Sequence, residues 1–465
     1  MIPAHELAER ALTAAASLDG AVAIVTGSSR ADLRWARTTL TTNGESRGTE
    51  LTLIGFRRTS EGTATATVSA SQPEIDELGD LASELASSLS RSSPALDSCD
   101  LIELIGSVPV SPDWSDPVEH TSSAALAPLA APLGAVFASC AADDIELFGY
   151  AEQALTTTWL ATSTGVRARH AQPAARLEVT AKSHGRQRST WWGRAGEDFT
   201  DVDLGPAEQR LRQSLNWQQR TVDVAPGRHR ALLTPSAIGD LMVDLWWSAS
   251  AREALQGRSV FSGPDGSTRL GNRLSERAVT LTSDPQDPRA PAADFLSVPA
   301  SSDLASVFDN GMRLDRVDWV RDGVLTGLHA CRRLAQDHGL PATASADSLR
   351  LVDADGHGDL DEVIARTKDA LLVTCLWYNR LVDPQTLLLT GLTRDGVYLV
   401  RDGEVVAATT NFRFNDSPVA VLGRISDAGS TGRTLPREMG DYAERVAMPC
   451  VTVEDFHFST ASDAR

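Results

Sequence analysis

Residues 371–417, LLVTCLWYNRLVDPQTLLLTGLTRDGVYLVRDGEVVAATTNFRFNDS, restrict the fold more than any other stretch of the chain. An apolar run meets a turn at Asp383-Pro384, and in the run that follows Asp395-Gly396 and Asp402-Gly403 bracket the segment VYLVR. Asp-Gly between β-branched and aromatic residues is a strong hairpin signal, because glycine accepts the positive φ that primed turns demand. The stretch predicts a dense β-meander with a turn at each Asp-Gly pair. Of chemistry it says little by itself.

At 465 residues the chain exceeds one ordinary core, so two or more domains are expected. It is 42% hydrophobic and 23% charged, as in a soluble globular protein, and no apolar run is read as approaching the roughly 18 residues of a membrane span. The opening MIPAHELAERALTAAASL reads as an amphipathic helix started at Pro3, not as a signal peptide. Cys99, Cys140, Cys331, Cys375 and Cys450 are scattered, odd in number and without CxxC spacing, which fits free thiols in a reducing cytoplasm. A net charge of −19 has the wrong sign for tracking phosphates, and the basic clusters at Arg167-Ala-Arg-His170 and His184-Gly-Arg-Gln-Arg188 are short. No nucleic-acid partner is expected.

Along the chain, strands are expected at 21–26, closed by Gly27-Ser-Ser, at 32–40, and at 49–56 after a turn at Asn43-Gly44. Pro73 opens a helix whose Ile75, Leu78, Leu81, Leu85 and Leu89 share one face, stopped by Ser90-Arg-Ser-Ser-Pro94. An irregular segment over 92–123 precedes an Ala-rich helix at about 124–142. Strands near 145–150, 156–161, 177–181 and 189–192 and a helix over 206–220 complete an N-terminal α/β domain spanning 1–221, with a middle subregion from about 110. Its sheet is mixed or antiparallel with flanking helices. The second domain, 222–465, begins with a linker, a strand at 229–233 and a long helix over 235–255. Recurrent turns such as Asp265-Gly266 and Asp322-Gly323, with one further helix at 360–367, make it mainly β with a few helices. The fold class is α+β.

Gly257-Arg-Ser-Val-Phe-Ser-Gly263, Leu270-Gly271, Leu281-Thr-Ser-Asp-Pro285, Phe308-Asp-Asn-Gly311, Arg321-Asp-Gly-Val-Leu325, Thr390-Gly-Leu-Thr-Arg-Asp-Gly396 and Asn411-Phe-Arg-Phe-Asn-Asp-Ser417 follow one another in that order. The series resembles the C-terminal half of the TldD/PmbA (TldD/TldE) family, and Asp32-Leu-Arg-Trp-Ala36 is similar to that family's first strands. The resemblance implies a cytoplasmic protease built from two related chains, one of which carries zinc. In the zinc-bearing chain, H-E-x-x-x-H lies on the helix before the G-x-S-x-F-S-G-like segment. Its histidines and a later cysteine hold the metal, and its glutamate is the general base. Zinc wants neutral imidazole or thiolate ligands and an open position for water. Here the helix over 235–255 has no His or Cys. Counting back from Phe261 puts Met242 and Trp247 at the histidine positions, 418–440 has no cysteine, and Cys450 reads as a strand residue. The resemblance therefore implies a TldE/PmbA-type subunit with no cofactor of its own. Zinc would sit in a TldD-like partner, and peptides or unfolded segments, such as leader peptides, would be the substrates. No membrane or nucleic-acid partner is implied.

Asn379, Arg394 and Arg413 are the polar candidates for a peptide-facing wall, turn or strand-end hydrogen bonds being their plainer role. Trp246 and Trp247 point about 100° apart on a helix, so at most one enters the domain core and the other is a candidate for a partner interface. His329, Cys331 and His338 offer metal ligands but lack a supporting carboxylate. The acidic run from Asp353 resembles a calcium loop, yet Ile364 stands at its twelfth position, so Asp359 is expected to cap the following helix instead. His5-Glu6-Leu-Ala-Glu9 lacks a second histidine. There is no G-x-S-x-G, Walker A or dinucleotide fingerprint. Two other readings remain: an active peptidase using His329, Cys331 and His338, and a homodimeric peptide-binding or regulatory protein.

Overall fold

A computed structural model describes residues 2–103, 109–200 and 202–462. Helix α1 (Ala4–Ala14) follows Pro3 and buries Ala4, Leu7, Ala8 and Ala11 on one side. Six long strands follow: β1 (Gly20–Ala36), β2 (Thr39–Thr59), β3 (Gly62–Ser71), β4 (Glu146–Thr162), β5 (Arg167–Ser183) and β6 (Arg188–Gly196). They form one sheet in the order β3-β2-β1-β4-β5-β6, every pairing antiparallel. Segments expected as separate strands, 21–26 with most of 32–40 and 145–150 with 156–161, are each parts of one strand.

Asn43-Gly44 is not a turn: both residues pair with Leu33 and Asp32 inside the β1–β2 ladder. The chain reverses at Arg37-Thr38, with φ of 52° and 61°. Thr38 is fixed there by bonds to β4, its N–H donating to Leu147 O at 2.9 Å and its hydroxyl accepting from Leu147 N–H at 3.0 Å. Tertiary hydrogen bonds hold this turn without glycine.

The strand pleat sorts the two faces of the sheet. Ala21, Ala23 and Val25 pack with α1 and with α2 (Leu78–Arg91). Farther along the same face, Ala31 and Trp35 pack with α3 (Ala127–Ala142) and α4 (Gly205–Trp217). Ile75 is exposed, against expectation, because residues 75–77 form a 3-10 turn ahead of α2. The expectation of no span-length apolar run also fails. Ser123–Ala142 is one helical stretch of 20 residues, long and apolar enough by length and composition to cross a membrane. Its Leu126, Leu129, Leu133, Val136 and Cys140 pack on the sheet. The opposite face of the sheet, with Val22, Ile24, Phe56 and Leu160, meets Phe295, Val307 and Phe308 of the second domain.

That domain begins with β7 (Gly227–Leu233) and α5 (Pro235–Trp247). The helix expected over 235–255 is broken after Trp247. Ser250 caps a separate α6 (Ala251–Leu255), and the backbone of Ala249 and Ala251 pairs with His329. A second sheet has the order β10-β9-β8-β11-β18-β17. Its strands are β8 (Val279–Ser283), β9 (Val317–Arg321), β10 (Val324–Leu325), β11 (Leu349–Asp353), β17 (Gly432–Thr434) and β18 (Val446–Met448).

The third sheet runs β12 (Asp369–Asp383), β7, β19 (Val451–Ser462), β15 (Asn411–Asp416), β13 (Leu388–Arg401) and β14 (Glu404–Thr409), with β16 (Ile425–Ala428) beside β19. Because β12 also pairs with β13, the strands β12, β7, β19, β15 and β13 close a ring. Of the two Asp-Gly pairs in residues 371–417, Asp402-Gly403 makes a hairpin turn, as Asp322-Gly323 does between β9 and β10. Asp395-Gly396 lies inside β13, with φ of 52° and 132°, opposite a register shift in β12. The pair forms a bulge. Asp359 caps α8 (Leu360–Arg366) in a reciprocal box with Glu362, as expected. Helices α7 (Arg332–His338) and α9 (Pro418–Gly423) were not foreseen.

Candidate functional site

Helix α5 starts cleanly: the Thr234 side chain accepts from Ala237 N–H, and Pro235 fills the first turn, where no amide hydrogen is needed. It then runs through the core between the strand ring and the second sheet, so nearly all of its residues are buried. Met242 is wholly enclosed and Trp246 almost so. Trp247 is half-buried and packs edge-on against Tyr442, ring centroids 6.1 Å apart.

Two carboxylates share this helix at four-residue spacing, Asp240 and Asp244, and so lie on one face. Asp240 Oδ1 accepts from the backbone N–H of Glu438 and of Met439, each at 3.0 Å. Its Oδ2 has no hydrogen-bond partner among the described residues. Burial holds Asp240 far above the usual carboxylate range, and the Met439 amide only partly opposes it. Asp244 is pushed up to about 7, chiefly by burial; Asn379 and Arg380 favour its charged form, while Glu438 disfavours it.

The loop over 435–445 is tied down on several sides. Glu438 accepts from Tyr378 N–H at 2.9 Å and pairs with Arg380 at 3.2 Å. Tyr378 has a φ of 59° where β12 shifts register. Arg437 pairs with Asp395 and lies between the rings of Trp191, 5.0 Å away, and Trp377, 5.5 Å away. Ser189 Oγ donates to the other Asp395 oxygen at 2.7 Å, so the β13 bulge presents this carboxylate to β6 of the first domain. Asp441 and Arg445 then pair with Arg176 of β5 and with Asp347. Beside this knot Cys375 is buried, its thiol pushed up to about 12 by burial.

The face of the first sheet turned toward the second domain does not close completely. Beyond the contact made by Ile24, it opens into a cleft of ≈ 880 Å³ whose floor carries Thr26, Thr52, Thr156, Thr158 and Gln172. The opposite wall includes 295–299, Asp347 and the loop residues Tyr442 and Glu444. Arg30, Glu152, Asp441 and Glu444 also border a second, adjoining opening of ≈ 680 Å³ over Tyr150.

The sequence profile described as the PmbA/TldA metallopeptidase C-terminal domain matches residues 226–460. The chain belongs to the PmbA/TldD family. Its fold is similar over nearly full length to a TldE from Thermococcus kodakarensis, at 15% identity and a TM-score of 0.74, covering 97% of this chain and 98% of that one. It is similar too to a protein from Bacteroides thetaiotaomicron described as a modulator of DNA gyrase, at 15% identity, 98% of each chain and a TM-score of 0.76. A protein so described from Thermotoga maritima gives 14% identity, 97% of this chain, 99% of that one and a TM-score of 0.71. No curated protein matches.

The residues at the positions counted for the zinc ligands that the resemblance implies do not fit that metal. Met242 offers a thioether sealed in the core, and Trp247 an indole engaged with Tyr442. Cys450 is buried too, its thiol held up to about 11 by burial. His329 stacks on Trp319 at 4.3 Å, and burial pushes its imidazole down to about 4. Cys331 precedes α7, and His338 is exposed in its last turn. Among the described residues no three His, Cys, Asp or Glu side chains gather as a metal site.

The candidates for a peptide-facing wall lie on two sides of the strand ring, Asn379 buried within and Arg394 and Arg413 outside on the neighbouring strands β13 and β15. Asn379 is buried beside Gly391, its side chain turned to the Asp244 carboxyl. Arg394 lies 5.4 Å over the Trp377 ring, and Arg413 donates to Thr390 Oγ1 at 3.3 Å; both are on the outer side of the ring. Sequence reasoning missed Asp240, Asp244 and the loop over 435–445. A signal for the first two existed, since they are the only charges in PSAIGDLMVDLWW. The loop and cleft had none, being assembled from distant segments.

Proposed function

We propose that this chain is the zinc-less, non-catalytic subunit of a TldD/TldE-like two-chain metallopeptidase that cleaves peptides or unfolded segments, leader peptides among them, in the cytoplasm. The observation that carries the reading is the state of α5. Packing residues occupy the positions counted for zinc ligands, and Asp240 is spent on holding the loop over 435–445. Such a helix serves as a wall. The subunit would complete a chamber around the partner's zinc, its cleft of ≈ 880 Å³ giving room for extended peptide. Free thiols at all five cysteines agree with a reducing compartment.

The test is co-expression with a relative that carries H-E-x-x-x-H. The two chains should co-purify and cleave an unstructured peptide faster than either alone, with zinc following the relative. A pair that neither co-purifies nor outperforms the relative overturns the proposal. Stoichiometric zinc in this chain alone overturns its zinc-less part.

A further inference from the structure

The cleft is unbalanced in charge. Glu50, Glu152, Asp347, Asp441 and Glu444 line it against Arg30 and Arg445. The arginines around it are already matched: Arg30 with Glu152 at 3.0 Å, Arg445 with Asp347, and at the adjoining opening Arg176 with Asp441 and Glu178. Glu444 has no ion pair or hydrogen bond among the described residues. Burial is the main influence on it and holds its carboxyl above its ordinary value, opposed by Arg445. A partly buried carboxylate without a partner costs free energy that an incoming guanidinium or ammonium recovers through a charge-assisted hydrogen bond.

The surroundings suit such a guest. Tyr442, 71% exposed, presents an aromatic surface in the wall with Glu444, a second favourable contact for a cation. The floor supplies hydroxyls of Thr26, Thr52, Thr156 and Thr158 and the Gln172 amide, groups that both donate to and accept from an extended backbone without reading its side chains. Chain direction is thus served by polar contacts that any sequence can use. Selection falls to the acidic wall, which repels acidic segments.

We infer that the cleft binds an extended peptide segment bearing an arginine or lysine, with the cationic head between Glu444 and the Tyr442 ring. This rests on the peptide-handling reading above and deepens it by naming the substrate class.

The experiment uses the purified full chain and three labelled peptides of about ten residues, alike except for a central Arg, Gln or Glu, with binding read by fluorescence anisotropy. The Arg peptide should bind about tenfold more tightly than the Gln peptide, and the Glu peptide most weakly. Glu444→Gln, close in shape, should erase the difference between Arg and Gln peptides while its melting temperature shows it folded. Glu84→Gln, an exposed acid on α2 across the sheet, should leave the difference intact, which separates the site from the general charge of −19. Equal affinity for all three peptides, or a preference that survives in Glu444→Gln, overturns this inference alone. Failure to bind any of them overturns both this inference and the peptide-holding role, while co-purification with the zinc-bearing relative still tests the two-chain assembly.

Discussion

Asp244 faces a carboxylate and an arginine from other elements, Glu438 of the loop and Arg380 of β12, with Asp240 one turn away on its own helix. Its carboxyl rises from the ordinary 3.8 to about 7 because burial outweighs Asn379 and Arg380. Between pH 4 and 7 the native chain therefore keeps a proton that the unfolded chain has released, and stability falls across that window as pH rises. Asn at this position imitates the protonated acid. Asp244→Asn should flatten the urea-denaturation profile between pH 5 and 8, gaining on the order of 2–3 kcal/mol over the native sequence at pH 8. Asp240, raised for the same reason, leaves a residual slope. An unchanged slope in the variant would mean that Asp244 is charged and solvated in the native state. The residue was legible as an oddity in an apolar helix; its burial was not, because that depends on a loop almost 200 positions away.

At the scale of elements, the Asp395-Gly396 bulge shows why a local signal can be right about backbone and wrong about topology. Both residues do adopt positive φ. The Asp395 carboxylate is held by Ser189 and Arg437, and the strand continues to Arg401 instead of reversing. A Cβ on Gly396 would stand 2.6 Å from the Tyr398 ring at a φ of 132° that side chains avoid. Gly396→Ala should cost about 2–3 kcal/mol in chemical denaturation, whereas Gly79→Ala should stabilise by up to about 1 kcal/mol, since Gly79 sits in a helix with open space around it. Arg437→Met should cost about 3 kcal/mol, because it leaves the buried Asp395 with only the more distant Arg394, 3.7 Å away, and Asp395→Asn in the same chain should recover part of that loss. Full additivity of the two changes would remove the pair from the account. Helices α1 and α2 were readable from the pattern of their apolar residues and α3 from its alanine-rich run. The breaks and turns set by tertiary bonds, at Arg37-Thr38 and at Ser250, were not.

Across the whole molecule, the question is what holds the two domains in the relation that forms the cleft. The strand pattern announced an α+β chain with a strand-rich second half, but nothing in it revealed which sheet face would meet the other domain, because Thr26 and Thr156 alternate like any solvated strand. Two kinds of contact do the joining. One is polar and partly exposed, the Arg176–Asp441 ion pair and the hydrogen bond that Arg332 donates to the Asp100 carbonyl. The other is apolar: Phe308 is fully buried, its ring 5.0 Å from that of Phe56, among Val22, Ile24 and Leu160. Exposed ion pairs contribute up to about 1 kcal/mol each, whereas removing a buried phenylalanine costs about 3–5 kcal/mol. The apolar contact should therefore dominate. Phe308→Ala is expected to split a single calorimetric unfolding transition into two, while Asp441→Asn, which cuts only the ion pair, keeps one transition with a shift of a degree or two. If Phe308→Ala merely lowers a single transition, the domains are coupled through the Arg437–Asp395 knot between β6 and β13 instead. In that case Arg437→Met becomes the change that separates them.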